Sequence, residues 1–394
     1  MFIKRKIYNK LKKLLEYEEI VVLTGMRRVG KTTLLKQIFN ELDSSNKVFL
    51  DMENQIDQLI FEENDYNNIL NNLAAFGINK SEKIYVFIDE IQLSRGITSP
   101  LKYLFDHYKI KFVVTGSSSF YLKNLFSESL SGRKFIIELF PLDFEEFLWF
   151  NGIEVPFKNE FHKKEQHRNK IQYEHLKPFY NEYLQFGGFP QVVLAKTKEK
   201  KKLYLNDIFN SYFEKEVKSL SDFKNIKAFR DLLLLLIRRT GSKLEVSKLA
   251  SLLGLSRPTI YSYLSFLEKT YFIFFVSSFT NSIDREIGRS KKLYICDTGI
   301  LNLFANIDEG NLFENAVFNN LKYHGKLNFY QNRSGLEIDF ILPEQKIAFE
   351  VKTKAIEQHI KRLKRLSGTL NMKENYVISR EFSDKENVIL SVNL

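Results

Sequence analysis

The most constraining feature of this sequence is a glycine-rich loop set between an apolar run and a helix-forming segment. Residues 25–32 read GMRRVGKT and fit the pattern G-x-x-x-x-G-K-[ST]. The β-rich run 20–24 precedes the loop and a predicted helix over 31–42 follows it, which is the context that the pattern requires. In such a loop, backbone N–H groups and the helix N-terminus face a bound phosphate. The sequence therefore predicts a phosphate-binding strand–loop–helix unit.

The residue types in this loop predict separate roles in binding ATP and Mg²⁺. Lys31 would reach the β- and γ-phosphates, and the Thr32 hydroxyl would join the Mg²⁺ shell. The other predicted nucleotide-binding residues are Gly25, Arg27, Arg28, Val29, Gly30 and Thr33. The alternative, a glycine-rich turn of purely structural use, explains neither Lys31 nor Thr32.

A second motif supplies two acids at the end of a buried strand. Residues 84–90 read IYVFIDE. Because ligands gather at the carboxyl ends of parallel strands, Asp89 is predicted to hold Mg²⁺, and Glu90 to activate the attacking water as a general base. The alternative is a strand that leads into an acidic turn.

Three further side chains are candidates to act on the same reaction. Thr115 and Ser117 follow the next predicted strand, where a hydroxyl could sense the γ-phosphate or orient the water. Arg133 is a candidate arginine finger or sensor, in this chain or across a subunit interface. The alternatives are ordinary turn formation by the hydroxyl residues and a surface ion pair for Arg133.

Together these motifs resemble prokaryotic AAA-type ATPases of the archaeal-ATPase-like group. The resemblance is carried by residues 24–33, 88–92, 115–117, 132–133 and 140–142, and it runs nearly end to end. It implies an AAA_14-like P-loop ATPase domain followed by a DUF4143-like C-terminal region of the kind often compared with restriction-endonuclease-like folds. Such ATPases commonly complete their sites with an arginine from a neighbouring subunit, so a homo-oligomer is one alternative and the oligomeric state stays open.

Composition narrows the class of protein and its partners. The chain has 394 residues, of which 44% are hydrophobic and only 17 are Gly and 7 are Pro. This composition excludes disordered and collagen-like proteins. The net charge of +11 favours polyanionic partners such as nucleic acid. The single cysteine, Cys296, fits a reducing compartment. The longest apolar run, 232–237, is far too short to span a membrane, so a cytoplasmic protein without a membrane partner is expected.

The predicted fold class is α/β, with the chain divided into four parts. Residues 1–142 form the P-loop domain, 143–202 a helical lid or linker, 203–284 a helical region with a winged helix, and 285–394 a restriction-endonuclease-like α/β domain. Strands that alternate with helices in the first part predict a parallel sheet covered on both faces. These strands are predicted over residues 20–24, 48–51, 84–88, 112–115 and 135–139.

A helix–turn–helix is predicted before the C-terminal strands. Ala250, Gly254 and Ile260 have the spacing of such a unit, and Ser256 would cap its second helix. The residues that would face a DNA major groove are Arg257, Thr259, Tyr261 and Ser262. The alternative is that this aromatic helix packs against another domain.

Two strands near the C-terminus, 335–342 and 347–352, are predicted to form a hairpin. If Leu342 pairs with Ile347, the register also places Asp339 opposite Glu350. Directly opposed acids destabilise a sheet unless a cation lies between them.

A nuclease centre is the sharper interpretation of this hairpin. Asp339 and Glu350 would hold Mg²⁺, Lys352 would position the nucleophile, and Glu314 could add a metal ligand. The alternative is a solvated hairpin face with Glu337 and Lys352 as a surface ion pair, on a fold that binds but does not cleave.

The leading functional hypothesis is a Mg²⁺-dependent ATPase whose nucleotide state repositions a DNA-binding or nuclease-like C-terminal half. The alternatives are a nucleotide-gated DNA nuclease and a nucleotide-switched binding module without cleavage. ATP and Mg²⁺ are the predicted cofactors, and double-stranded DNA and proteins are the candidate partners. Basic clusters at 196–202 and 361–365 are either polyanion contacts or solvated faces.

Overall fold

The computed structural model describes two compact units. The described residues are 3–94, 96–116, 132–218, 225–280 and 291–394. The first unit extends to Phe140 and adds Lys269–Tyr271, and the second comprises the other described residues from Pro141 onward. Within these ranges, none of the helices combines the length and the apolar character needed to cross a membrane.

The first unit is built on a five-stranded parallel sheet. Its strands are β1 (Ile20–Thr24), β2 (Lys47–Asp51), β3 (Tyr85–Asp89), β4 (Lys111–Gly116) and β5 (Lys134–Glu138), in the order β2-β3-β4-β1-β5. All neighbouring strands run parallel. The predicted parallel sheet is therefore confirmed, and each predicted strand is displaced by at most one residue at either end.

Helices cover both faces of this sheet. They are α1 (Tyr8–Leu14), α2 (Lys31–Glu41), α3 (Gln55–Leu59), α4 (Asn68–Ala74) and α5 (Thr98–Tyr108). Alternate strand residues such as Ile20 and Val22 pack with Leu73 and Leu104 of α4 and α5. Because successive side chains of a strand point to opposite faces, the intervening residues face the other side, where α2 contacts β3 and β4.

The second unit combines helices with a mixed sheet. Its helices are α6 (Phe144–Phe150), α7 (Phe161–Gln166), α8 (Lys170–Phe186), α9 (Pro190–Val193), α10 (Lys198–Tyr212), α11 (Ile226–Ile237), α12 (Val246–Leu253), α13 (Arg257–Lys269), α14 (Thr298–Phe304), α15 (Glu309–Leu321) and α16 (Glu357–Thr369). Its strands are β6 (Ile273–Ser278), β7 (Lys292–Ile295), β8 (Asn328–Gln331), β9 (Glu337–Leu342), β10 (Ile347–Lys352), β11 (Glu374–Ser379) and β12 (Val388–Leu390). Helices occupy most of the described residues from 143 to 269, as predicted. The strand β6 (Ile273–Ser278), however, lies within 203–284, the part predicted as a helical region, so strands return earlier than expected.

The seven strands form one sheet in the order β12-β11-β10-β9-β8-β6-β7. β10, β11 and β12 run parallel, β9 is antiparallel to β8 and β10, and β6 runs parallel to β8 and antiparallel to β7. The predicted boundary between residues 284 and 285 falls between β6 and β7, which pair with each other. The four-part division of the chain stays a prediction.

The mixed sheet carries a core on each face. On one face Ala348 and Val377 pack with Leu363 of α16. On the other face Phe349 packs among residues of α6, α7, α8 and α15, including Tyr180. The segment predicted as a helical lid or linker therefore contributes to the core of the second unit, because its aromatic side chains bury against this sheet.

A buried aspartate ties the start of α14 to the loop before α9. Asp297 Oδ1 accepts hydrogen bonds from the N–H groups of Gly299 at 2.8 Å and Ile300 at 3.3 Å, and Oδ2 accepts one from Gly188 at 2.7 Å. Burial raises the pKa of Asp297 to about 6, although these backbone donors act in the opposite direction. The folded protein therefore holds this carboxyl group less readily as an anion than the unfolded chain does.

We expect Asp297 to make stability depend on pH between its unfolded value of 3.8 and its folded value of about 6. In this window the folded state binds more protons, so the unfolding free energy falls as the pH rises, by up to roughly 3 kcal/mol. Urea unfolding of the wild type and Asp297→Asn at several pH values checks this. The free-energy difference between the two proteins should change across the window and level off above it. A constant difference would contradict the expectation.

Candidate active site

Two glycines shape the loop between β1 and α2. Gly25 has φ 153° and Gly30 has φ 98°, values that side-chain-bearing residues rarely adopt. A Cβ atom on Gly25 would lie 2.0 Å from the carbonyl oxygen of Leu139. Gly30 directly precedes the first residue of α2. The predicted phosphate-binding loop therefore has a backbone that only glycine permits at these two places.

Lys31 lies against the loop that it is predicted to serve. It is the first residue of α2 and is 5% exposed. Its Nζ donates hydrogen bonds to the carbonyl oxygens of Gly25 and Met26, each at 2.9 Å. The ammonium group is thus buried beside the backbone that would surround a phosphate.

Sequence reasoning missed Arg5, which braces the same loop. Its guanidinium Nη1 donates to the Val29 carbonyl oxygen at 2.8 Å, and Nη2 donates to that of Phe140 at 2.9 Å. Arg5 is also buried. An isolated arginine well before the motif gives no signal in the sequence, because its partners are brought to it only by the fold.

Asp89, Thr32 and Thr115 meet at the carboxyl edge of the sheet. The Thr115 hydroxyl donates a hydrogen bond to Asp89 Oδ1, and the Thr32 hydroxyl also bonds to this carboxylate. Burial raises the pKa of Asp89, and these two hydroxyls oppose the rise. Mg²⁺ prefers oxygen ligands, so the donor set of Thr32 and Asp89 fits this ion.

Glu90 follows in a strained backbone conformation. Its φ of 51° and ψ of 46° are left-handed values that non-glycine residues adopt at a cost, often at functional sites. The Glu90 N–H donates to Thr115 Oγ1 at 3.1 Å, and the Gln92 amide donates to its carboxylate. Thr115 therefore connects Asp89, the predicted Mg²⁺ ligand, with Glu90, the predicted general base. Gln92 orients Glu90, a role that sequence reasoning did not assign.

The other predicted nucleotide-binding residues lie along the loop and the first turn of α2. Val29 is buried, Arg27 is half-buried, and Arg28 and Thr33 are exposed. Arg28 has φ 65°, so it too is left-handed. Ser117 lies outside the described residues. Nucleotide contacts of these side chains stay predictions.

Arg133 lies at the opposite edge of the sheet. Its carbonyl oxygen accepts a hydrogen bond from the Ile20 N–H at 2.8 Å, at the amino end of β1. Its Nε donates to Asp106 at 2.8 Å, which is the ion pair of the alternative interpretation. The length of β1, about 16 Å, separates Arg133 from the loop, so the structure does not support a finger or sensor role within the same chain, and that role stays a prediction. A role across a subunit interface stays a prediction.

The helix–turn–helix residues lie as the spacing predicts. Gly254 ends α12 in the left-handed conformation, and Ser256 Oγ accepts a hydrogen bond from the Thr259 N–H at 3.2 Å before α13. Ala250 and Ile260 are buried. On α13, Arg257, Tyr261 and Ser262 are exposed and Thr259 is half-buried. The winged-helix assignment and DNA contact by α13 stay predictions.

The hairpin of β9 and β10 has the predicted register over part of its length. Leu342 lies opposite Ile347, and the ladder continues to Phe340 opposite Phe349. At the next position the Asp339 carboxylate accepts a hydrogen bond from a backbone N–H of the facing strand, that of Val351, at 2.7 Å. The predicted direct pairing of Asp339 with Glu350 is therefore absent from the ladder, because a side chain takes the place of the backbone partner.

Lys352 nevertheless brings these two acids together. Its Nζ lies 3.2 Å from Glu350 Oε1 and 3.9 Å from Asp339 Oδ2. Glu350 is 1% exposed and Asp339 is 9% exposed. The alternative of a solvated hairpin face is therefore wrong for both acids.

Sequence reasoning missed Lys292, a buried residue at the start of β7. Its Nζ lies 3.1 Å from Glu314 Oε1, pairs with Glu337 and lies 4.0 Å from Asp339 Oδ1. Burial alone would lower the pKa of Lys292, but the three carboxylates raise it above the ordinary lysine value. Glu337 thus pairs with Lys292. The ion pair of Glu337 with Lys352, which the alternative interpretation predicted, is not formed.

The structure does not assemble the predicted ligands Glu314, Asp339 and Glu350 into a metal centre. In the described part of the chain, no group of three or more His, Cys, Asp or Glu side chains is placed to hold a metal ion. The ammonium groups of Lys292 and Lys352 lie among these carboxylates and supply the positive charge that the prediction assigned to Mg²⁺. As it stands, this charged cluster is a set of ion pairs.

Comparison with protein families gives three matches along the chain. Residues 17–148 match a family described as AAA domain. Residues 177–311 match the domain of unknown function DUF8612, and 309–389 match DUF4143. The resemblance to AAA-type proteins with a DUF4143 region is therefore confirmed, whereas the comparison with restriction endonucleases stays a prediction.

Relatives extend over most of the chain. An uncharacterized protein of Methanocaldococcus jannaschii is 30% identical over 336 residues, which cover 82% of this chain and 72% of the relative. One of Haemophilus influenzae is 26% identical over 390 residues, covering 93% and 90%. Among solved structures, C. elegans PCH-2 aligns with 52% of this chain and 67% of its own at 14% identity and a TM-score of 0.33. The chain therefore belongs to the family of the M. jannaschii protein, with an N-terminal AAA P-loop domain followed by a DUF4143 region.

Proposed function

We propose that the first unit binds ATP with Mg²⁺ and hydrolyses it. One observation carries the proposal: Thr32 of the loop, Asp89 of β3 and Thr115 of β4 are joined by hydrogen bonds through the Asp89 carboxylate. The proposal is supported by the position of this loop and these two oxygen-bearing side chains at one edge of a parallel sheet, where nucleotides bind in such folds.

Each of the residues named below has a separate role in the proposed hydrolysis. Lys31 would exchange its loop carbonyls for the β- and γ-phosphate oxygens. Thr32 and Asp89 would hold Mg²⁺, which when bound neutralises charge on the phosphates. Glu90 would take a proton from the attacking water while that water forms a bond to the γ-phosphorus. The bond from the γ-phosphorus to the bridging oxygen breaks, and ADP leaves with the electron pair.

Phosphate release from ATP by the full chain should require a divalent ion. We expect EDTA to stop release and added Mg²⁺ to restore it. The reason is that Thr32 and Asp89 would hold the ion, and the bound ion would neutralise the charge of the phosphates during hydrolysis. A steady-state phosphate assay measures this. Release that continues unchanged in EDTA would overturn the proposal that these oxygens hold a catalytic ion.

We further propose that nucleotide state in the first unit is coupled to DNA binding by the second, in a cytoplasmic protein. The net charge of +11 and the exposed residues of α13 support this proposal. The test is the ATPase rate with and without double-stranded DNA. Stimulation supports coupling, and an unchanged rate would redirect the search to protein partners.

A second candidate function is phosphodiester hydrolysis in the second unit. It is favoured by the position of Lys352 between Asp339 and Glu350, the three residues of the predicted D…E-x-K pattern, and it requires Mg²⁺ to replace the ammonium groups that now pair with these acids. Plasmid DNA incubated with Mg²⁺ tests it. Nicking that survives Lys31→Ala and disappears in Asp339→Ala supports cleavage, whereas no nicking leaves a binding module.

A further inference from the structure

Helix α16 turns a basic surface away from the sheet. Lys361, Lys364 and Arg365 are exposed and Arg362 is half-buried. The apolar residues Ile360, Leu363 and Leu366 lie in the core against the sheet. Because successive helical residues are rotated by about 100°, the four basic side chains fall in the half of the helix opposite this apolar stripe. We name Lys361, Arg362, Lys364 and Arg365 the basic face.

The basic face is continuous with the charged cluster at the end of β10. Arg362 forms an ion pair with Glu350, and Lys352 lies 3.2 Å from the same carboxylate. Glu350 and Lys352 alternate along β10 with Phe349 and Val351, whose side chains pack on the other face of the sheet. The basic side chains of α16 therefore lie next to the buried carboxylate of Glu350 and the ammonium group of Lys352.

Hydrogen-bonding capacity is unused where the basic face meets this cluster. Three buried atoms have no hydrogen-bond partner among the described residues: Glu350 Oε2, His359 Nδ1 and Arg362 Nε. Buried polar atoms are nearly always paired in folded proteins, so these three atoms leave hydrogen-bonding capacity beside the basic face that the described residues do not use.

We propose that the basic face of α16 binds the phosphodiester backbone of a nucleic acid. Phosphate contacts of this kind need clustered Lys and Arg side chains and no sequence-specific geometry. A membrane surface is disfavoured, because a helix that binds lipid inserts its apolar side, and Ile360, Leu363 and Leu366 are already buried in the sheet core. Exposed Glu357, 3.8 Å from Lys361, is too solvated to cancel the charge.

The test compares two triple variants of the full chain without ATP, so that failure of the proposed ATPase activity has no bearing on it. One is Lys361→Gln/Lys364→Gln/Arg365→Gln. The control is Lys158→Gln/Lys170→Gln/Lys177→Gln, which removes the same charge from exposed positions of the second unit outside both basic clusters. Fluorescence anisotropy with labelled duplex DNA and duplex RNA measures Kd over a range of salt concentrations, and vesicles of phosphatidylserine and phosphatidylcholine form a third arm. Matched thermal unfolding shows that both variants are folded.

We expect the basic-face variant to bind DNA at least about tenfold more weakly than the control. The slope of log Kd against log salt concentration should fall by about 1 for each cation removed. The same loss with RNA supports backbone recognition, and a loss with DNA alone supports it with a preference for the DNA duplex. Equal weakening by both variants, no nucleic-acid binding by the wild type, or a selective loss of vesicle binding would overturn the proposal.

Discussion

Replacing Glu90 by Gln is expected to slow ATP hydrolysis by a factor of about 10²–10⁴ while ATP still binds. Gln has nearly the same shape and can still contact Gln92, but it cannot take the proton of the attacking water. The phosphate and Mg²⁺ contacts assigned to Lys31, Thr32 and Asp89 are untouched. Titration with a fluorescent ATP analogue measures binding, and phosphate release measures turnover.

Two lysines of α2 provide the matched comparison for Glu90→Gln. Lys31→Ala should remove both ATP binding and turnover, because its buried ammonium is the predicted phosphate contact. Lys36→Ala, at an exposed position of the same helix, should preserve both. Turnover at the wild-type rate in Glu90→Gln would remove this residue from the role of general base, and ATP binding retained in Lys31→Ala would contradict the proposed phosphate site.

Lys292→Met is expected to lower the unfolding free energy of the second unit by about 3–5 kcal/mol. Lys292 is 5% exposed, and its ammonium group is shared by Glu314, Glu337 and Asp339. Removing it leaves carboxylates buried without their cation, which costs more than the ion pairs contribute. Urea unfolding followed by circular dichroism measures the change.

The pH dependence identifies the cause of this loss. Burial already raises the pKa of Glu314, and the loss of Lys292 should raise it further. A carboxyl group with a raised folded pKa is neutral at low pH, so the destabilisation should shrink as the pH falls. Adding Glu337→Gln to Lys292→Met should recover part of the stability. Lys291→Met, a neighbouring exposed position, serves as the control, and an equal effect there would contradict the role of buried charge.

Local patterns were enough to predict the parts of the structure that depend on neighbouring residues. The phosphate-binding loop and the turn at Gly254 are both short segments. Their backbone conformations require glycine at particular positions. The register of β9 and β10 followed from pairing Leu342 with Ile347 across a tight connection. In each case the interacting residues lie within about two helical turns or one hairpin of each other. Over such short distances the number of residues between them determines how they are placed in space.

The charged cluster could not be predicted in this way. Lys292 and Asp339 are far apart in the chain and meet because their strands, β7 and β9, belong to the same sheet. Arg5 likewise contacts Val29 only because the fold brings these two separated residues together. Nor could the place of Arg133 be predicted, because proximity to the motifs in sequence does not reveal which end of a parallel strand a residue occupies. A pattern of residue types shows what could bind a cation but not that an internal lysine fills that place.

The position of β6 between β7 and β8 has a consequence for synthesis of the chain. β6 ends at Ser278, and β8, which pairs with it, begins only at Asn328. At a ribosomal rate of roughly 5–20 residues per second, that edge of β6 waits about 3–10 s for its partner. An open strand edge is a template for pairing with other chains, so nascent chains stopped before residue 328 should be prone to aggregation.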